Sequence, residues 1–221
     1  MIFRLVDTRN ESSLASKMRR SRMSHLFEII ESSAESKPLR VLDVGGTEGY
    51  WRTVWNEACD GLEITLLNVE AEPVTGALPT VAVAGDARQM SQFKDRQFHL
   101  CFSNSVIEHV GTIGDQKRMA DEIRRVAKAC FVQTPYRYFP IEPHYLFPGW
   151  AGLPVWVRTA LHRRIDLGWV KAEPDYVKAR QDVESCRLLS LKEFRMLFPD
   201  SQIVLERIGP FIKSMIAVRK G

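Results

Sequence analysis

The chain lacks most of the features that would place it in a class at once. Only 4 of its 221 residues are cysteines. Cys59, Cys101, Cys130 and Cys186 show neither CxxC nor Cys/His ligand spacing, which argues against a zinc ribbon or a disulfide scaffold. Cys101 and Cys130 sit inside the apolar runs FHLCFSN and ACFVQT, where a reduced Cys acts as a small hydrophobe, and all four read as buried or incidental thiols. No apolar run reaches the roughly 18 to 20 residues of a membrane span, and the stretch Tyr145 to Val157 is broken by two prolines. The opening MIFRLVDTRNESS meets Arg4 and Asp7 before any apolar run, so no secretory signal is read and cytoplasmic residence is the expectation. Charge of one sign is scarce too, since 31 Lys+Arg against 27 Asp+Glu leave a formal +4. Neither GxxxxGK followed by Ser/Thr nor GxGxxG occurs, which sets aside the P-loop and the dinucleotide fingerprint. No repeat, low-complexity tract or Gly/Ser linker divides the chain. One domain over 1–221 is therefore expected, and at 45% hydrophobic and 26% charged it is long enough to bury a core without staples.

What is present is alternation. Leu14, Met18, Leu26, Phe27 and Ile30 recur at helical spacing, which predicts a leading helix with Lys17, Arg19, Arg20 and Arg22 on its wet side. LRVLDVGG (39–46) then reads as a strand with a tight loop, followed by a helix over Glu48 to Ala58. LEITLLNVE (62–70), TVAVAGDA (80–87), QFHLCFSNS (97–105) and KACFVQTP (128–135) read as further strands, with a helix over Gly114 to Ala129 before the last. Strands that are almost wholly apolar and alternate with helices imply a parallel sheet covered on both faces. The tail opens at Ser190 with Glu193 three residues on, a capping-box signature, and closes with SQIVLERIG (201–209) and FIKSMIAVRK (211–220), joined by Gly209-Pro210 as an antiparallel hairpin. The fold class is α/β: a doubly wound, mostly parallel seven-stranded sheet with an antiparallel C-terminal hairpin. The expected division is a leading helix (1–36), a ligand-binding half (37–134), an insertion or lid (135–188) and a closing helix with hairpin (189–221). The segment Pro135 to Arg187 is the least legible, with six of the 11 prolines and three of the five tryptophans.

In open parallel sheets ligands sit beyond the carboxyl ends of the strands. The first such end here is Asp43-Val44-Gly45-Gly46-Thr47-Glu48-Gly49, where glycines admit close backbone approach and a helix N-terminus follows. Its two acids would repel a pyrophosphate but accept hydrogen bonds from a cationic or hydroxyl-rich ligand. Asp86 in Gly85-Asp86-Ala87 has a second reading as a helix cap, Asn104 as a turn residue, and Glu108 as a charge at a helix start.

This pattern resembles motif I of the class I S-adenosylmethionine-dependent methyltransferases, an acid-x-Gly-x-Gly-x-Gly loop matched by Asp43, Gly45, Thr47 and Gly49, with Gly46 beside the substituted Thr47. The resemblance covers nearly all of residues 39–220 and implies a Rossmann-like methyltransferase fold with S-adenosylmethionine as cofactor. It implies that Asn68 or Glu70 takes the ribose hydroxyls, that Asp86 with Ala87 receives the adenine, and that Ser103 and Asn104 line the cofactor pocket. FPIEPH after the fifth strand resembles a segment of a subset of small methyltransferases. Tyr136, Arg137 and Glu142 are the expected acceptor-contacting residues there, and His109 or His144 the expected general base. The implied reaction moves a methyl group to an O or N atom of a small-molecule, glycan or lipid-linked acceptor.

Three other readings stand beside it. RNA as substrate would draw on KMRRSR (17–22) and HRR (162–164), against a low net charge that makes nucleic acid the weaker reading. Small-RNA terminal methyltransferases hold a metal with Glu-x-x-Glu-His and a further His. Here Glu108, His109 and His144 are available but Ser105 stands at the first acid, so no metal is expected. PGWAGLPVWVRTALHRRI is compatible with an interfacial helix and peripheral membrane contact as well as with a lid. A fourth possibility is a binding module that has lost catalysis, because Thr47 and Asn68 depart from the pattern.

Overall fold

The computed structural model of the chain describes residues 14–32, 38–142 and 144–221, with side chains described from Arg22 onward. Helix α1 (Leu14–Ser32) leads. Strand β1 (Leu39–Val44) is buried at every position but Arg40, as a strand covered on both faces must be. It turns through Gly45, at φ +76°, into α2 (Glu48–Val54), whose N-cap is Thr47: its hydroxyl accepts from Tyr50 N. Strands β2 (Leu62–Asn68), β3 (Thr80–Ala84) and β4 (Phe98–Asn104) follow. Helix α3 (Ile113–Val126) starts on a Thr112–Asp115 capping box and runs straight into β5 (Ala127–Pro135). Two short helices, α4 (Val155–His162) and α5 (Tyr176–Glu184), come next. Helix α6 (Leu191–Leu197) begins on the Ser190–Glu193 capping box read from the sequence, and β6 (Gln202–Ile208) and β7 (Phe211–Arg219) close the chain.

The seven strands lie in the order β3-β2-β1-β4-β5-β7-β6, parallel except for β7, which is antiparallel to both β5 and β6. One apolar layer carries Met23, Leu26 and Ile29 of α1 and Trp51 of α2 against one face of the sheet. The other carries Met119, Ile123 and Val126 of α3 and Phe194 of α6. Between β1 and β4 the winding reverses, and the strand ends splay apart there into a crevice.

The expected seven-stranded doubly wound sheet is present, but several boundaries differ. Helix α2 stops at Val54 rather than Ala58, because Trp55 is extended and the Asn56 side chain caps a separate 3-10 turn, Glu57–Cys59, by accepting from Ala58 N. Asp86 heads no helix: residues 86–89 close a tight turn, in which Asp86 Oδ1 accepts from Arg88 N at 2.8 Å. The segment after β5 is ordered around its own apolar cluster of Tyr145, Trp150, Leu167 and Val183. Arg22 is not on a wet face. Its guanidinium makes a two-pronged ion pair with Glu206 of β6, at 3.2 and 2.9 Å, and donates to Asn104 Oδ1 at 2.7 Å. Periodicity assigned it to solvent because its partners lie 82 and 184 positions away. The side chains of Leu14, Lys17, Met18, Arg19 and Arg20 lie outside the described residues.

Candidate active site

The crevice between β1 and β4 is a cleft of about 100 Å³ lined by Asp43, Gly45, Gly46, Thr47, Tyr50, Phe102 and Asn104. Asp43 ends β1 with its carboxylate buried: Oδ2 accepts from Trp51 Nε1 at 2.7 Å, and among the described residues Oδ1 has no partner. Burial raises its pKa to about 7, the Trp51 bond opposing the rise. A Cβ on Gly46 would fall 1.7 Å from Asp43 Oδ2, so only glycine lets the backbone pass this close to the acid. Asn68, at the end of β2, donates to Gly46 O at 2.8 Å and so braces the glycine turn from the next strand. Glu48, buried at the start of α2, accepts from Thr75 N at 2.6 Å, a bond that lowers its pKa.

Of the expected cofactor residues, the structure gathers Asp43, Gly45, Gly46, Thr47 and Asn104 at one cleft, with Gly49 in the first turn of α2 and Asn68 adjoining. Glu70 is exposed, two residues beyond the strand. Asp86 sits at the end of β3 with both carboxylate oxygens on Arg88, whose hydrogen bonds lower its pKa, and Ala87 is in the same turn. Ser103 does not line the cleft. Its side chain is fully buried and its hydroxyl donates to Val44 O at 3.1 Å, stitching β4 to β1, because alternation along a strand turns Ser103 and Asn104 to opposite faces. Tyr50 and Phe102, stacked at 6.0 Å, are wall residues that no spacing marked, and Arg22 is a third omission.

A second and larger cavity, about 360 Å³, opens between the loop after β5 and the helices of the insertion. Its wall includes Arg137, Glu142, Tyr145, Trp150, Arg158 and Cys186. Arg137 and Glu142, expected to contact the acceptor, thus line this cavity together. Tyr136 does not, because it packs against the sheet core and edge-on to Tyr138 at 5.6 Å. Glu142 is buried and held by the amides of His144 and Tyr145, and its Oε1 lies 2.6 Å from His144 Nδ1. That bond raises the His144 pKa. The His109 ring meets the His144 ring edge-on at 5.1 Å, and desolvation, then His144, lowers its pKa. Glu108 is buried beneath them; Oε2 accepts from Thr134 Oγ1 at 2.9 Å, Oε1 has no partner among the described residues, and burial raises its pKa to about 7. The two expected base candidates are thus one cluster. The remaining histidines lie elsewhere: His99 accepts from Arg40 N at 3.0 Å, His162 is buried against Asp182, and His25 sits beside Glu28 on α1. Ser105, which follows β4, holds φ +58° and bonds Gln133 through both its amide and its hydroxyl.

Residues 42–129 match the family described as methyltransferase domain, a span running from the end of β1 to the start of β5 and containing the whole cleft. No curated protein sequence matches the chain. Among solved structures, the PH0226 protein of Pyrococcus horikoshii is similar over 98% of this chain and 96% of its own, at 16% identity and TM-score 0.50. A SAM-dependent methyltransferase of Methanosarcina mazei is similar over 81% and 90%, at 14% identity and TM-score 0.48. A Rhodobacter sphaeroides protein provisionally named for the Zn-dependent alcohol dehydrogenases is similar over 81% and 82%, at 11% identity and TM-score 0.53. Likeness at such identities establishes the fold and leaves the chemistry to the site. The family match falls on the glycine turn and the strand ends that build the cleft, and among the described residues no helix is long and apolar enough to cross a membrane. On these grounds residues 42–129 are similar to a methyltransferase domain set in a Rossmann-like fold, a likeness that points to S-adenosylmethionine as the cofactor.

Proposed function

We propose that the chain methylates an O or N atom of a small-molecule, glycan or lipid-linked acceptor held in the 360 Å³ cavity, with the cofactor in the β1/β4 cleft. The observation that carries this reading is the pair of cavities at the carboxyl edge of one sheet, with Glu142 in the wall of the second and the His144–His109 pair behind it. The cleft residues fit the cofactor: the buried, unpartnered Asp43 Oδ1 awaits a donor, and Gly45 and Gly46 leave room where any Cβ would intrude. Asn68 and Glu70 stand at the strand end for the ribose hydroxyls, and Asp86 with Ala87 for the adenine. Ser103 serves as a brace behind the cleft. Arg22, tied to Asn104 Oδ1, is a guanidinium at the cleft suited to the carboxylate of the cofactor's amino-acid part. A 100 Å³ cleft is smaller than the roughly 300 Å³ of ordinary small-molecule sites, so binding requires Arg22, and Arg88 on Asp86, to exchange these partners for the ligand.

S-adenosylmethionine supplies a methyl group already activated by its sulfonium, so the protein's share is alignment and removal of the acceptor proton. Glu142 fixes the orientation of His144, and that ring with His109 forms the centre where the acceptor proton leaves. Arg137 and Glu142 orient the acceptor, and Tyr145 and Trp150 give it apolar walls. Calorimetric titration with S-adenosylmethionine and S-adenosylhomocysteine tests the cofactor half: wild type binds both at micromolar level, and Asp86→Ala and Gly45→Arg lose binding while remaining folded. Unchanged affinity in both variants would sink the cleft assignment.

A further inference from the structure

We propose that His109, His144 and Cys186 form a binding site for a single divalent ion of the zinc class. The three come from separate segments: the 3-10 turn after β4, the loop after β5 and the stretch following α5. Even so, one ligand atom from each lies within 4.8 Å of the others. Tetrahedral zinc with bonds of about 2.0 to 2.3 Å brings its N and S ligands to roughly 3.3 to 3.7 Å of one another, so a contraction of about 1 Å completes the site.

The surroundings favour an ion over a plain histidine pair. Glu142 is fixed by two backbone amides and is placed to accept a hydrogen bond from His144 Nδ1–H, the tautomer in which Nε2 keeps its lone pair for an ion; carboxylate-held histidines of this kind are the usual metal ligands. Glu108 supplies a second buried carboxylate against the cluster, with an oxygen that no described residue satisfies. A divalent cation is balanced by acids placed in this way. Cys186 is also held in place. Buried Gln116 donates to both Ile107 O and Arg187 O, at 3.0 and 2.8 Å, and Arg187 N donates to Glu108 O at 2.7 Å, so the thiol cannot drift from the turn that carries His109. The other three cysteines are buried elsewhere, Cys101 and Cys130 in strands and Cys59 in the 3-10 turn after α2, so Cys186 has no disulfide role to explain it. An N₂S donor set suits zinc and its neighbours in the series.

Motif spacing led to the opposite expectation because Ser105 occupies the first acid position. Cys186 fills the ligand set from a distant segment instead. Glu142 and Cys186 face the 360 Å³ cavity, so the position left open on a three-ligand ion is directed toward the acceptor, as in catalytic zinc sites. There it would polarise an acceptor oxygen or nitrogen and lower that group's pKa, taking the place of the two histidines as proton acceptors because their ring nitrogens would hold the ion; that role rests on the function proposed above, and the binding site itself does not.

Titration of chelator-treated full-length protein with cobalt(II) reads the site directly. Expected are one equivalent of tightly bound cobalt, the visible bands of tetrahedral coordination, a near-ultraviolet thiolate-to-cobalt band, and displacement by zinc. Cys186→Ser should lose the near-ultraviolet band, Glu142→Gln should weaken binding about 10- to 100-fold, and His109→Ala, at an exposed position, should weaken it by at least as much without unfolding. A thiolate band that survives in Cys186→Ser, or His109→Ala and wild type binding alike, overturns the proposal. So does a wild-type stoichiometry well below one. Parallel titration with S-adenosylhomocysteine separates the two readings. Cofactor binding without cobalt binding refutes the metal site alone, and cobalt binding without cofactor binding refutes the function alone.

Discussion

Asp43 is the position where folding and function are most directly opposed. Its carboxyl is 1% exposed and its pKa is raised from 3.8 to about 7. For an acid raised in this way the folded state holds the proton more tightly than the unfolded chain, so stability falls as pH rises from about 4 to about 7 and is level above that. Three pH units at about 1.4 kcal/mol each set the full loss near 4 kcal/mol, a large share of a typical domain's stability. Asp43→Asn removes the titration while its amide oxygen can still accept from Trp51 Nε1. Urea denaturation of both proteins at closely spaced pH values from about 4 to 9 measures the difference; Glu108 contributes its own slope equally to each. The variant should gain on wild type through this window, by up to about 4 kcal/mol, while losing cofactor affinity. Parallel stability curves would refute the burial argument for Asp43.

Further expectations follow from single contacts. Arg22→Ala should weaken S-adenosylmethionine binding about tenfold by calorimetry, since it removes the guanidinium beside Asn104; unchanged or tighter binding would show that Arg22 only obstructs the cleft. Gly46→Ala places a methyl group on the Asp43 carboxylate and should abolish cofactor binding with a clear drop in melting temperature, whereas Gly49→Ala, with the nearest side-chain atom 3.8 Å away, should retain binding. Ser190→Ala breaks the capping box of α6 and should cost about 1 kcal/mol in urea melts with the cofactor affinity intact.

The sequence made legible what depends on neighbours along the chain. The apolar runs placed all seven strands, and Ser190-x-x-Glu193 marked its helix start, because strand burial and capping are decided within a few residues. The polar strand ends marked Asp43, Gly45, Gly46 and Asn104 for the same reason. Helix periodicity misplaced Arg22, since an ion pair with Glu206 outweighs its exposure on α1 alone. Motif spacing passed over Cys186, which lies 42 positions from His144 and stands beside it only in the folded chain. Ser103 and Asn104 were both read as cleft residues, but neighbours on a strand turn to opposite faces and only Asn104 lines the cleft.

The bond between Arg22 and Glu206 joins the leading helix to the last hairpin, where Ser214 also donates to Glu206. A chain made from its N-terminus therefore cannot finish its cofactor cleft until translation has passed Glu206, and a ribosome-held chain ending before β6 presents the glycine turn with Arg22 still unanchored. On the function proposed above, cofactor capture is then expected only of chains whose C-terminal hairpin has already paired.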